Sequence, residues 1–123
     1  MAEILLIDDD INIHEIVTLF LNNAGHTVTC ADSGAVGLDY AAHNQIDLII
    51  LDLAMPVMDG LQTYEKLRSH PNSRDVPIMI LSVHQKFELD TEILQRSDVC
   101  FVSKPVDMDH LISAVEQALT RTA

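Results

Sequence analysis

The sequence predicts an α/β protein: a single flavodoxin-like (βα)5 domain whose doubly wound parallel sheet has the strand order 2-1-3-4-5. Three observations predict it. Five short apolar segments alternate with five segments of helical periodicity, which is typical of right-handed βαβ units. Residues 48–51 form a continuous apolar run, typical of a strand buried on both faces. The length of 123 residues suits one core, and no repeat or linker divides it, so we expect one domain over residues 1–123.

Each predicted strand is a short apolar run that stops at a polar or turn-forming residue. The third strand, for example, stops at Asp52, before Pro56 and the turn formed by Asp59 and Gly60. The predicted strands cover residues 3–7, 26–31, 48–51, 76–81 and 99–102.

The predicted helices follow from apolar residues spaced three and four apart, together with end signals. Gly25 suits the position just after the first helix, and Ser33 and Asp107 suit the caps of the second and fifth helices. The predicted helices run from Ile13 to the turn at 22–25, from Ser33 to about residue 43, over 60–69, over 86–96, and from Asp107 to about residue 119. The residues expected to face inward are Leu61, Tyr64 and Leu67 in the third helix, and Met108, Leu111, Ile112, Val115 and Leu119 in the fifth.

Composition excludes several classes of function. The formal net charge is −12, from 19 acidic and 7 basic residues, and the basic residues are scattered singly. Direct binding of nucleic acid is therefore not expected, because it requires clustered Lys and Arg. No apolar run approaches the length of a membrane span, and nothing resembles a targeting peptide, so the expected location is the cytoplasm.

The cysteines and histidines show no metal-binding spacing. Cys30 and Cys100 are expected to be small buried hydrophobic residues, too far apart in this fold for a disulfide. Five of the six histidines are expected at the surface or in loops, and His84, two residues after Ser82, is expected near the mouth of the site.

Polar residues stand at the carboxyl ends of four predicted strands. They are Asp8 and Asp9 after the first strand, Asp52 after the third, Ser82 after the fourth and Lys104 after the fifth. Open α/β sheets place their sites at this edge. Three neighbouring carboxylates repel one another, and Mg²⁺ is the cation that best fits a few carboxylates, retained waters and a phosphate. Asp52 is then a plausible nucleophile toward phosphorus, with Ser82 and Lys104 contacting the phosphoryl oxygens.

Each of these residues also has an ordinary structural interpretation. The aspartates after the first strand could cap the first helix, which is the only role we expect of Asp10. Asp52 could cap a turn, Ser82 could bond backbone, and Lys104 could be a solvated lysine before a proline. The site is favoured because all four strand ends carry a suitable group together.

These residues resemble the CheY-like receiver domain of bacterial two-component response regulators. The resemblance extends over essentially the whole chain, and the matching segments lie at residues 4–9, 52–60, 77–82 and 101–105. The resemblance implies that Asp52 is the phosphoacceptor for a histidine kinase or phosphotransfer protein. It also implies direct Mg²⁺ binding by Asp9, binding by Asp8 mainly through water, and a further ligand from the Ala54 carbonyl.

The resemblance further implies a switch that carries the signal to a downstream effector or a linked output domain. Ser82 would move to contact the phosphoryl group, Lys104 would pair with it, and Phe101 would turn inward. The surface of the fourth predicted helix, fifth strand and fifth predicted helix would then change. Such a domain is not an enzyme, since it catalyses only its own phosphorylation and dephosphorylation. The sequence departs from the family at Val83, where Ala or Gly is usual and where bulk narrows access to Asp52.

Other functions remain as alternatives. A receiver-like interaction module that is never phosphorylated is the main one, although no site residue is missing. A dehalogenase-like phosphatase would need a second aspartate where this chain has Ala54. A flavodoxin would need a Ser/Thr/Gly-rich phosphate loop where this chain has Asp8, Asp9 and Asp10.

Overall fold

A computed structural model describes residues 2–52, 60–82, 99–103 and 107–121. Within them lie five strands and four helices. The elements are β1 (Glu3–Ile7), α1 (Ile11–Asn23), β2 (Thr27–Ala31), α2 (Gly34–His43), β3 (Leu48–Asp52), α3 (Gly60–Ser69), β4 (Ile78–Ser82), β5 (Val99–Ser103) and α4 (Met108–Arg121). Helix α4 corresponds to the fifth predicted helix, and the fourth, predicted over 86–96, lies outside the described residues. Among the helices of these ranges, none combines the length and apolar character that a membrane crossing requires.

The strands form one parallel sheet in the order β2-β1-β3-β4-β5, as predicted. The first strand of the chain therefore lies inside the sheet, between β2 and β3. All five residues of β3 are buried, which agrees with the apolar run at 48–51. Since the pairing is parallel, the carboxyl ends of the central strands lie along one edge.

The core has two apolar layers, one on each face of the sheet. Alternate strand residues face opposite layers, as a strand's period of two requires. Helices α1 and α4 cover one face, and α2 and α3 cover the other. The first layer is centred on Leu6, Val17, Leu21, Ile50, Met79, Leu111 and Val115. The second is centred on Leu5, Ile7, Ile49, Leu51, Tyr64, Leu67 and Ile80.

Two elements begin two residues away from the positions the sequence suggested, and the other starts differ by at most one residue. Helix α1 begins at Ile11, because the Asp10 carboxylate accepts a hydrogen bond from the Asn12 backbone N–H at 2.9 Å and caps the helix there. Strand β4 begins at Ile78 rather than residue 76, since Pro77 has no N–H to donate. The predicted caps at Ser33 and Asp107 are confirmed by side-chain bonds to the first turns of their helices.

Helix α1 ends at a left-handed glycine, as predicted. Gly25 has a φ of 96°. Its N–H donates to the Asn22 carbonyl at 3.0 Å, and the His26 N–H donates to the Leu21 carbonyl at 3.0 Å. These two bonds form a Schellman motif, which turns the chain directly into β2.

His26 lies in the connection between α1 and β2, as expected of a loop histidine, but it is buried rather than at the surface. Its Nδ1 accepts a hydrogen bond from the Ala2 N–H at 3.3 Å, and its Nε2 lies 2.7 Å from the Glu116 carboxylate. The Schellman turn places the His26 ring next to Ala2 and Glu116, so both ring nitrogens are hydrogen-bonded. His26 therefore ties the start of β1 and the start of β2 to helix α4.

Cys30 is exposed, so the expectation of a buried position is also wrong. It lies on β2, which is an edge strand, and its sulfur lies 3.4 Å from the Thr18 hydroxyl of α1. The side chain lines a surface cleft beside α1 instead of entering the core. The side chain of Cys100 lies outside the described part of the structure.

We expect Gly37→Ala to lower the free energy of unfolding by about 1 kcal/mol, because overpacking outweighs the better helix propensity of alanine. A Cβ at residue 37 would lie 2.7 Å from Cγ1 of the buried Ile7 and nearer still to its Cδ1. Urea unfolding measures the effect. In an Ile7→Val background, which lacks Cδ1, the same substitution should cost less; an equal cost would show that this contact is not the cause.

We expect His26→Ala to lower the free energy of unfolding by about 2–3 kcal/mol, because two hydrogen bonds and their packing are lost at a buried position. Glu116→Gln should cost less than about 1 kcal/mol, since the amide oxygen still accepts from the ring. His43→Ala is the matched surface control, because the His43 ring is exposed and bonds only its own helix among the described contacts. Equal effects at residues 26 and 43 would contradict the assigned role.

Candidate functional site

Two aspartates lie side by side where β1 and β3 end. The strands are paired with Ile7 opposite Leu51. Asp52 is the last residue of β3, and Asp8 follows β1 directly. The register therefore places both carboxylates at the same level of the carboxyl edge.

Asp9 completes a cluster of three carboxylates. Asp8, Asp9 and Asp52 each offer an oxygen, and these oxygens all lie within 4.8 Å of one another. Asp8 is fully buried and Asp52 is 3% exposed, whereas Asp9 is exposed. At such distances two charged carboxylates repel by roughly 3 kcal/mol for an effective dielectric constant of about 20. A cation would relieve this repulsion and can approach through Asp9.

The donors of the cluster fit a hard divalent cation. All three offer oxygen, and no nitrogen or sulfur ligand completes a second group among the described residues. Oxygen donors suit Mg²⁺ or Ca²⁺ rather than zinc. With only three carboxylates, the set leaves places for waters and a phosphate oxygen, which is the usual pattern for Mg²⁺.

Local hydrogen bonds hold the segment that carries two of these aspartates. The Asp8 N–H donates to the Ala31 carbonyl of β2 at 3.1 Å, and the Asp8 carboxylate accepts from the Asp10 N–H at 2.9 Å. Asp10 itself caps α1, as the sequence suggested, and it is not a member of the cluster. The chain therefore changes from strand to helix within three residues, with Asp9 directed outward.

His14 is a further contact of this segment, and the sequence reasoning missed it. Its Nε2 is hydrogen-bonded to the backbone carbonyl of Asp8. Side chains of a helix point back toward its N-terminus, so a residue in the first turn of α1 can reach the end of β1. The Asp8–His14 spacing allows this contact but does not single out His14 in the sequence, because the acceptor is a backbone carbonyl and other residues of the first turn lie as near.

The other predicted site residues are described only in part. Ser82 ends β4, one position beyond the Asp52–Leu81 pair, and lies opposite Ser103 of β5. Phe101 lies in β5, opposite Ile80. The side chains of Ser82 and Phe101 are outside the description, as are Ala54 and Lys104 altogether. The described backbone thus brings Ser82 to the edge that carries Asp52.

A cleft of about 380 Å³ opens beside the cluster. Asp9 and His14 contribute to its wall from the strand end and from α1, and Cys30 contributes from β2. The carboxylate cluster is therefore reached from solvent on the side of α1.

Comparisons with known proteins agree with this geometry. Residues 4–116 match the family model described as the response regulator receiver domain. The chain is 34% identical over 122 residues to the transcriptional regulatory protein GlrR of Escherichia coli K12. That alignment covers 99% of this chain and 27% of the regulator, so the chain spans about a quarter of its relative's length.

Solved structures give the same result. The receiver domain of the Francisella response regulator 1452 superposes with a TM-score of 0.89 at 28% identity, covering 100% of both chains. The receiver domain of the sensor histidine kinase PA1611 from Pseudomonas aeruginosa PAO1 superposes with a TM-score of 0.85 at 25% identity, covering 97% of this chain and 98% of that one. The PA1611 structure is described with a magnesium ion coordinated in its active site cleft.

The family match extends from β1 into α4, and it includes the two strand ends where Asp8 and Asp52 meet. The chain therefore belongs to the response regulator receiver domains, which act as signalling domains in two-component systems.

Proposed function

We propose that this domain accepts a phosphoryl group on Asp52 from the phosphohistidine of a sensor histidine kinase or phosphotransfer protein, in a reaction that depends on Mg²⁺. The observation that carries the proposal is the cluster of Asp8, Asp9 and Asp52, whose oxygens lie within 4.8 Å of one another at the carboxyl edge of the sheet. Membership in the receiver family and the magnesium ion described for the PA1611 receiver domain support the same reaction.

The proposed metal ligands are the carboxylates of Asp8, Asp9 and Asp52 and the backbone carbonyl of Ala54. Asp9 is exposed and would bind directly, whereas Asp8 is fully buried and would act mainly through water. When bound, Mg²⁺ neutralises charge on the carboxylates and on the phosphoryl oxygens.

In the proposed transfer, a carboxylate oxygen of Asp52 attacks the phosphorus in line with the phosphohistidine. The new O–P bond forms as the N–P bond breaks, and the imidazole of the donor leaves with that bond's electron pair. Lys104 pairs with the phosphoryl oxygens, and Ser82 hydrogen-bonds one of them, so their charge is stabilised as the group passes between partners. Burial of Asp52 keeps bulk water from the carboxylate that must attack.

The proposed output is a change of surface. The new dianion draws Ser82 toward it, and Phe101 turns inward into the space that is vacated. Ser82 and Phe101 belong to the paired strands β4 and β5. The surface of the predicted helix 86–96, β5 and α4 then favours a different packing, which a downstream effector or a linked output domain recognises.

We expect the wild-type chain to gain one phosphoryl group, only when Mg²⁺ is present, and Asp52→Asn to gain none, because an amide is not a nucleophile toward phosphorus. Intact mass measures the addition after incubation with acetyl phosphate or phosphoramidate. The phosphohistidine of histidine kinases serves as a second donor, because valine at position 83, where the family usually has Ala or Gly, is expected to slow labelling by small donors. Asp39→Asn, at an exposed position of α2, is the control and should label normally.

Labelling that survives Asp52→Asn would disprove this assignment of the phosphoacceptor. Failure of the wild type with both small donors and a panel of kinases would instead favour the interaction module that is never phosphorylated.

We expect Asp9→Asn to raise the free energy of unfolding without metal by about 1 kcal/mol or more, because it removes two repulsive pairs from the cluster. Mg²⁺ at about 100 times its Kd should stabilise the wild type by about 2.7 kcal/mol, and the variant should lose most of this gain. Urea unfolding with and without Mg²⁺ tests both statements.

Asp10→Asn is the matched control for that experiment, because asparagine caps a helix as well as aspartate and residue 10 is not in the cluster. This variant should keep the full Mg²⁺ stabilisation. A similar loss in both variants would show that net charge, rather than the cluster, binds the metal.

A further inference from the structure

We propose that His14 is a positioning residue for the carboxylate cluster: its ring fixes the peptide group between Asp8 and Asp9 and so sets the metal affinity of the site. This inference rests on the proposed function, because it concerns Mg²⁺ binding at Asp8, Asp9 and Asp52. His14 touches neither the metal nor the phosphoryl group in this role. It acts through the backbone of Asp8.

The contact lies on the peptide that joins two members of the cluster. The carbonyl oxygen that accepts from His14 belongs to Asp8, and the same peptide group continues into the backbone nitrogen of Asp9. A rotation of this peptide changes ψ of Asp8 and φ of Asp9 together. Where a change in one of these angles is not compensated by the other, the Asp9 side chain turns relative to Asp8 and leaves the arrangement in which their oxygens lie within 4.8 Å.

Asp9 needs this support more than the other two members do. Asp8 and Asp52 are buried, so packing on both sides of the sheet restricts their side chains. Asp9 is exposed and has no such packing. The position of the Asp9 carboxylate therefore depends on the local backbone conformation. His14 restricts that conformation through its hydrogen bond to the Asp8 carbonyl.

Four hydrogen bonds described above fix the turn from β1 to α1. Three have backbone N–H donors: Asp8 to the Ala31 carbonyl, Asp10 to the Asp8 carboxylate, and Asn12 to the Asp10 carboxylate. The fourth donor is the His14 ring. The Asp10 and Asn12 bonds also depend on side chains, since the Asp8 and Asp10 carboxylates accept them. His14 is the one side chain of this set that is neither a member of the cluster nor the cap of α1, so its replacement tests the turn without removing either.

The position of the His14 ring indicates that replacing it changes the carboxylate site more than the stability of the fold. His14 is half-buried and lines the cleft beside Asp9. The residues by which α1 enters the core are Val17 and Leu21, which lie on the same face of the helix, about one and two turns after His14, and are fully buried. Replacing His14 leaves these two side chains and their core contacts in place.

The experiment is a calorimetric Mg²⁺ titration of the wild type, His14→Ala, His14→Gln and His43→Ala. We expect His14→Ala to bind about tenfold more weakly, which is typical when a group that orients a metal ligand is removed. His14→Gln should recover most of the affinity, because its amide N–H₂ can donate to the same carbonyl. His43→Ala is the matched control, since the His43 ring also contacts a backbone carbonyl, that of Asp39 at 2.8 Å, but on α2.

Two further measurements distinguish positioning from general damage. Urea unfolding without metal should show a change of no more than about 1 kcal/mol for His14→Ala, the usual value of one hydrogen bond. The rate at which Asp52 is labelled should fall at low Mg²⁺ and return to the wild-type value at saturating Mg²⁺. A merely structural defect would lower the rate at both concentrations.

The outcomes are distinct. Wild-type affinity in His14→Ala would overturn the inference, as would a glutamine variant that binds as weakly as the alanine variant. If His14→Ala does not fold, the glutamine variant decides: wild-type affinity supports the hydrogen bond, and weak binding overturns it. Absence of Mg²⁺ binding by the wild type would overturn the metal site itself, and the inference with it.

Discussion

The parallel pairing of β1 with β3 is the constraint on which the site depends. Ile4 to Ile7 of β1 pair with Leu48 to Leu51 of β3, and every one of these residues is buried. Neither strand can slide along the other without moving apolar side chains out of both layers. The residues that follow this pairing, Asp8 and Asp52, are consequently held together although like charges repel. The core supplies the free energy that keeps acidic groups adjacent in the absence of a cation.

This arrangement gives the three aspartates different surroundings: two are fixed in the core, and one is in contact with solvent. Asp8 and Asp52 belong to the rigid centre of the sheet, and Asp9 lies at its solvent boundary. A ligand that neutralises the cluster therefore changes the electrostatic energy of the edge without having to rebuild the core. In the proposed switch, this change reaches Ser82 at the end of β4 and Phe101 of β5, two strands that pair with each other.

Most of the fold could be predicted because each signal in the sequence was local and mutually consistent. The apolar run before Asp52 required a central strand. Gly25 marked a helix end by its left-handed backbone, and Ser33 and Asp107 marked helix starts by their side-chain oxygens. The cluster of aspartates could be predicted because parallel strands end at one edge. The same rule placed Asp8 and Asp9 in the cluster. It did not predict that Asp8 is buried and Asp9 exposed, because that difference depends on the hydrogen bonds of the turn into α1.

The histidines show where sequence reasoning reaches its limit. His26 and His14 carry no pattern of their own, and each acquires its role from a partner brought near by the fold. The partner of His26, Glu116, is 90 positions away in the chain. The partner of His14 is a backbone carbonyl, which every residue possesses and no sequence distinguishes. Composition and periodicity cannot reveal such contacts, because they are properties of the assembled turn and of the closed core.

The bond between His26 and Glu116 also has a consequence for the order in which the domain can be completed during synthesis. Helix α4 is the last element of the described chain, yet it covers the face of the sheet that also contains Leu6 and Ile50. The ribosome synthesises the chain from its N-terminus, so β1, β2 and β3 emerge well before helix α4, which covers this face. Until α4 is made, the part of this face that α1 does not cover remains open to water and to other chains. The synthesis of helix α4 therefore determines when the apolar residues on this face of the sheet become buried in the growing chain.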